Sequence, residues 1–156
     1  MKENWALVKI YAVPMCTEYK MFVRGQRSEY LGHEAAGEVV EVAQPSRVKV
    51  GDRVVMMPQY PCGTCDLCVA GDYIYCEHNV DFEAFTGGKE GRATYAQFML
   101  KPDWLLLPIP DGLSYDLASL ALCALGPSFG AFDAMQVGAF DTVLVTGCLL
   151  YTSPSP

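Results

Sequence analysis

Positive charge is scarce in this chain. Its 156 residues carry 11 Lys and Arg against 18 Asp and Glu, a formal net charge of −7. A nucleic-acid partner needs a basic face, so that class is set aside, although cysteine clusters are common in DNA-binding modules. Long apolar runs are missing too. No stretch nears the roughly 18 residues of a membrane helix, and the best candidates are broken by Gly and Pro. No secretory leader is read ahead of the cysteines, and there is no internal repeat. Histidine is reduced to His33 and His78, and a complete G-x-G-x-x-G phosphate turn is absent. What remains is 51% hydrophobic and 19% charged, an ordinary globular composition whose length suits one domain, or one and a piece. Seven cysteines without a leader suggest a reducing setting, and the chain is read as cytoplasmic.

Four of those cysteines, Cys62, Cys65, Cys68 and Cys76, fall in the run PCGTCDLCVAGDYIYC. Two C-x2-C steps share a central cysteine and a short lobe brings back the fourth. A tetrahedral Zn2+ needs four thiolates about 2.3 Å from one point, and tight turns followed by a small lobe can supply them. The competing reading is two disulfides in a small secreted domain. It fares worse, because a C-x2-C pair closes a strained ring and nothing marks secretion. Three further soft ligands, Cys16, His33 and Cys123, are too far apart for spacing to join them. For the two cysteines, buried packing is the ordinary expectation.

Short strands between Gly and Pro turns predict a mainly β fold, an all-β barrel: Trp5–Val13, Glu38–Ala43, a strand pair or bent strand over Val48–Met57, Thr94–Leu100 and Trp104–Pro108. Phe82–Arg92 reads as a polar loop. After Pro110 the pattern turns helical. Ser114 N-caps a helix to Leu125, Gly126-Pro127 breaks it, and Ser128–Val137 makes a second. Asp141–Thr146 reads as a short buried strand running into Gly147, as a dinucleotide-binding unit begins.

Three segments in order, GHEAAGEVVEVA, VKVGDRVV and CGTCDLC followed by Cys76, resemble the zinc-dependent medium-chain dehydrogenases of the alcohol dehydrogenase superfamily. The resemblance runs from Trp5 to Gly147. It implies a GroES-like barrel with a structural zinc lobe, followed by helices and the first strand of a Rossmann domain, with the active site between the two domains. It further implies a hydride-transfer enzyme with two Zn2+ per chain, one catalytic and one structural, and NAD or NADP. The substrate would be a small-molecule alcohol, polyol or carbonyl compound, and the full-length parent a homo-oligomer. Carried over by position, Cys16, His33 and Cys123 are the catalytic zinc ligands and Glu34 is a neighbouring or exchangeable ligand. Cys62, Cys65, Cys68 and Cys76 hold the structural zinc. Gly147 is at most the first glycine of the cofactor turn.

The chain departs from that pattern near Cys16. Relatives carry Ser or Thr two positions after the first ligand to start a proton relay. Here that position is Glu18, with Thr17 one residue early and Met21 where some relatives have a relay histidine. Either Thr17 takes over, or Glu18 handles the proton. The expected layout is a catalytic domain over 1–125 lacking its first strands, the start of a nicotinamide domain over 126–147, and a tail over 148–156. That tail matches what one frame of a sequencing-transposon end encodes and is read as non-native, against a natural Ser/Pro tail. Such a piece is expected not to turn over by itself. Two other classes stay open: a zinc-stabilised interaction module, and a thiol redox protein using C-x2-C.

Overall fold

The computed structural model describes residues 4–28, 30–89 and 91–145. Five strands form one antiparallel sheet: β1 (Trp5–Ala12), β2 (Ala35–Val42), β3 (Arg53–Met56), β4 (Phe98–Pro102) and β5 (Leu106–Pro108), in the order β4-β1-β2-β3-β5. β4 and β5 are opposite edges, yet only the 3-10 turn Asp103–Leu105 joins them. A flat sheet would hold those edges about 19 Å apart at ~4.8 Å per strand. Four peptide steps reach about 14 Å at most. The sheet must therefore curl, as the expected barrel does. The turn that joins the edges is anchored at both ends, by Met57 N–H to the Leu105 carbonyl at 3.0 Å beside β3 and by Asp103 N–H to the Asn4 carbonyl at 2.8 Å beside β1. Asp103, itself buried, also accepts from Asn4 Nδ2 (2.9 Å) and Arg47 N–H (3.0 Å).

The inner faces of β1, β2 and β3 bring Trp5, Val8, Val39, Val54 and Met56 together with Met99 and Leu106. Trp5 stacks on Tyr60 and on Phe85, with centroids 5.9 and 4.7 Å apart. On the other face Ala36 and Val55 receive Ala118 of α4 (Tyr115–Ser119), which Ser114 caps by accepting from Leu117 N–H at 3.3 Å, as its sequence predicts.

Several expected elements shift, each for a local reason. Val48–Gly51 is a turn rather than a strand, because the Asp52 carboxylate takes Lys49 N–H (2.9 Å) and Gly51 sits at φ +91; β3 begins only at Arg53. Residues 94–97 are bends, since Thr94 and Tyr95 N–H turn to the carbonyls of Gly32 and Leu31, and β4 starts at Phe98. The expected polar loop after Phe82 opens with a helix, α3 (Phe82–Thr86), capped by Asp81 on Ala84 N–H and closed by Gly87 at φ +81. Two further short helices, α1 (Glu18–Val23) and α2 (Asp66–Val69), flank the cysteine positions. Gly126-Pro127 does not break the helical run: a π-helical turn over Ala121–Leu125 passes into α5 (Gly126–Ala134), where Pro at the second position lacks only an N–H the first turn does not need. Residues 141–145 are not a buried strand. They lie exposed without ladder partners, and a strand needs a neighbour to satisfy its backbone. Gly147 and the tail over 148–156 lie outside the described residues. No described helix is long and apolar enough to cross a membrane.

Candidate functional site

The structure gathers two groups of metal-ligating side chains. The first is the lobe between β3 and α3. Cys62 and Cys65 sit in the turn before α2, Cys68 on it, and Cys76 after the 3-10 turn Tyr73–Tyr75. All four sulfurs lie within 4.8 Å of one another. Cys62 Sγ is 3.9 Å from Cys68 Sγ, and Cys65 Sγ is 4.0 Å from Cys76 Sγ. A disulfide requires about 2.05 Å. Four sulfurs about 2.3 Å from one ion stand roughly 3.8 Å apart. The spacing therefore suits a tetrahedral ion and not a pair of bridges. Backbone N–H groups of Thr64 (3.5 Å) and Cys65 (3.4 Å) point at Cys62 Sγ, and that of Cys62 at Cys76 Sγ (3.3 Å). The donors from Thr64 and Cys65 hold the Cys62 thiol down at about 5, while burial pushes Cys68 up to about 12. A dication reverses that second shift, since a coordinating thiol is deprotonated outright.

The second group is Cys16, His33, Glu34 and Cys123, again with one ligand atom from each within 4.8 Å. Three segments supply it: the stretch between β1 and α1, the turn entering β2, and the π-helical turn after α4. Two carboxylates hold it in shape. Glu18 accepts from Cys16 N–H at 3.1 Å and from His33 Nδ1–H. Glu34, 2% exposed, accepts from Cys123 N–H at 2.9 Å and stands 3.8 Å from His33 Nε2. With Nδ1 engaged by Glu18, Nε2 is the free ligand nitrogen, 3.1 Å from Cys123 Sγ. Burial first, then Glu34 and Cys16, pushes the Cys123 thiol up to about 12. Soft sulfur, one imidazole and a carboxylate form a donor set suited to zinc.

Gly32 sets the angle at which His33 enters. It sits at φ +87, and a Cβ there would fall 2.2 Å from Thr94 Oγ1 and 2.9 Å from Tyr95 N. Thr17, at the head of α1, is exposed and caps it only through its carbonyl, bonded by Lys20 N–H. His78 is exposed just beyond the lobe. The contact of Glu18 with His33 is not legible in the sequence, where position alone marks Glu18 as a proton carrier; the geometry adds hydrogen bonds to Cys16 N–H and to the His33 ring.

Two cavities flank the second group. One, of about 280 Å³, is apolar and runs from Cys123 and Leu122 to Met57, Leu105 and Tyr73. The other, of about 320 Å³, is the more polar of the two and runs from His33 to Tyr30, Gln59, Asn79 and Arg92, with Val80 and Phe82 adding apolar wall. Pro58 and Gln59 lie between and line both. Sequence reasoning missed the polar cavity entirely, because its residues share no motif.

The model of the alcohol dehydrogenase GroES-like domain matches residues 2–111. The chain is 36% identical to a sorbitol dehydrogenase of Bacillus subtilis (strain 168) over 124 residues, which are 73% of this chain and 34% of that protein. It is 30% identical to an uncharacterized zinc-type alcohol dehydrogenase-like protein of Escherichia coli (strain K12), over 95% of this chain and 45% of the other. Among solved structures, the alcohol dehydrogenase TADH from Thermus sp. ATN1 superposes with a TM-score of 0.70 at 25% identity, covering 87% of this chain and 41% of that one. Matches to the curated relatives thus span between 23% and 45% of their length.

Proposed function

The chain belongs to the alcohol dehydrogenase GroES-like domain family, and on that premise we propose that it is the zinc-carrying part of an oxidoreductase that transfers hydride between an alcohol or polyol and a nicotinamide cofactor. The observation that carries the reading is the convergence of Cys16, His33, Glu34 and Cys123 from three distant segments onto one point. Chance packing of free cysteines does not also bring a histidine whose other nitrogen is fixed by a carboxylate. The names of the relatives, sorbitol dehydrogenase and zinc-type alcohol dehydrogenase-like protein, support an alcohol or polyol as the substrate class.

Cys16, His33 and Cys123 would hold the catalytic ion, and Glu34 lies where it could enter or leave the coordination sphere. When bound, zinc supplies Lewis-acid stabilisation of the substrate oxygen. The protein's own tasks are orientation and proton management. Glu18 keeps His33 in the tautomer that presents Nε2. Its two oxygens hold Cys16 N–H and the His33 ring, so any proton it carried would pass through that same hydrogen-bonded group. Glu34 fixes the Cys123 backbone and lies buried within the cluster. The apolar cavity next to Cys123 suits a flat nicotinamide ring, and the polar cavity next to His33 suits a hydroxylated substrate. The lobe of Cys62, Cys65, Cys68 and Cys76 would hold a second, structural zinc. Residues 126–147 would begin the cofactor domain, and the parent would act in a reducing compartment as a homo-oligomer.

The test is metal content per chain for the wild type and for His33→Ala. The expected result is about two zincs falling to about one. A single zinc untouched by His33→Ala would remove the catalytic centre and leave an interaction module built on the lobe.

A further inference from the structure

The polar cavity beside His33 ends in an arrangement that a neutral polyol does not need. In a chain of net charge −7, two cations meet at Tyr30: Arg92 lines this cavity, and Lys89 lines the neighbouring one that shares the tyrosine. Arg92 Cζ stands 5.1 Å from the Tyr30 ring centroid, and Lys89 Nζ stands 5.5 Å from it. The Tyr30 hydroxyl donates to Glu83 Oε1 at 3.0 Å, which fixes the ring, and the ring in turn positions the guanidinium. Arg92 Nη1 lies 3.8 Å from the same Glu83 oxygen, with both side chains nearly half exposed. At that distance and exposure the ion pair is weak and easily exchanged. Arg92 is thus held in place mainly by the ring, and its planar fork is available to a stronger acceptor. Asn79 lines the same wall and adds an amide.

We propose that the substrate is a polyol carrying a terminal phosphate monoester, whose anionic end is received by Arg92 beside Tyr30 while its reacting hydroxyl lies at His33. This rests on the dehydrogenase reading, since it takes the cluster at His33 as the place of hydride transfer. The physical case is that a guanidinium matches a phosphate by two parallel hydrogen bonds, each charge-assisted and stronger than a bond to a hydroxyl. Lys89, on the adjoining cavity that also contains Tyr30, adds a positive charge to the surroundings and would raise the encounter rate with a dianion. The cavity's volume, about 320 Å³, falls at the small end for ligand pockets and accommodates a five- or six-carbon chain.

The test uses the zinc-loaded chain, isotopically labelled for NMR, titrated with D-sorbitol 6-phosphate, D-sorbitol and inorganic phosphate. Sorbitol 6-phosphate is expected to bind at least tenfold more tightly than sorbitol and to shift the Arg92 side-chain and Tyr30 amide signals, with a preference that weakens as salt rises. Arg92→Gln should abolish most of that preference, and Arg92→Lys should keep part of it. Binding of inorganic phosphate alone as tightly as sorbitol 6-phosphate would mean an anion site with no polyol and would overturn the proposal. Equal binding of the two polyols, or a preference that survives Arg92→Gln, would do the same. If Arg92→Gln does not fold, the salt dependence in wild type and the Arg92→Lys result decide. Two zincs without phosphate preference sinks this inference alone, whereas one zinc unaffected by His33→Ala removes both readings.

Discussion

The two ligand groups make an instructive pair. The lobe takes all four of its ligands from one loop, and its donors are sulfurs with backbone N–H groups aimed at them. The second group takes its ligands from residues 16 to 123 and is braced by two carboxylates. The first needs only the chain between Cys62 and Cys76 to supply its sulfurs. The second exists only when β1, β2 and the helical turn beyond α4 are already in place. A contiguous site is thus a property of a segment, and an assembled site is a property of the fold.

The largest effect should come from breaking the contiguous site. Cys68 is 3% exposed at the centre of the lobe. Cys68→Ser should lose one zinc and lower the thermal midpoint by roughly 10 °C, about 3 kcal/mol for a chain of this length. His33→Ala should lose the other zinc with a smaller drop. Moderate urea sharpens the contrast. A chelator titration followed across the unfolding transition should strip the assembled site with the loss of the sheet, while the lobe still retains metal. Simultaneous release from both would show that the lobe depends on the fold as much as its counterpart does.

Next in size is the turn that presents His33. Gly32→Ala forces a Cβ into the Thr94 hydroxyl and the Tyr95 backbone at a φ that suits only glycine. It should cost about 2–4 kcal/mol in denaturant unfolding and weaken only the assembled site. Glu18→Gln is gentler. It keeps the shape but loses the charge that fixes His33 Nδ1. Zinc affinity at the second site should fall about 10- to 100-fold by competition with a coloured chelator, and the lobe should be unchanged. An equal loss at both sites would mean that Glu18 acts through stability and not through His33.

The same contrast explains what the sequence revealed. The lobe is legible because its four cysteines fall within a few turns. Cys16, His33 and Cys123 could be joined only by resemblance, since nothing in their spacing brings ninety residues of chain back on itself. Glu18 was visible as an oddity after Cys16, but its target depends on where the turn at Gly32 aims an imidazole. Among the elements, α4 was readable from Ser114 because its cap is local. α3 carried equally local signals, Asp81 before it and Gly87 after it, yet the glycine-rich polar residues beyond them masked the helix. The strand expected at Val48 failed because Asp52 prefers to close a turn, and the one at Asp141 because a strand is a pairing and not a property of its own residues.

Lys101 joins the two regions and gives the smallest predicted effect. It is fully buried on β4, where hydropathy would not put it. Its amine donates to the Gln59 carbonyl at 2.8 Å and lies 3.5 Å from the Tyr60 ring centroid, so it ties β4 to the segment leading into the lobe and lining both cavities. Burial holds its pKa well below 10.5. Between that lowered value and 10.5 the unfolded chain binds the extra proton, so stability must rise with pH across the window. Above about 10 the trend reverses, because burial pushes the Tyr60 phenol upward and unfolding would release its proton. Lys101→Met removes the lysine contribution and keeps the volume. Between pH 8 and 9.5 the wild-type midpoint should climb and the variant's should stay flatter, starting a few degrees higher at pH 8, on the order of 1 kcal/mol. Parallel curves would mean that the amine stays protonated in the fold, held by Gln59 and the Tyr60 face. A flatter variant that also loses zinc from the second site alone would make Lys101 the link through which the contiguous region steadies the assembled one.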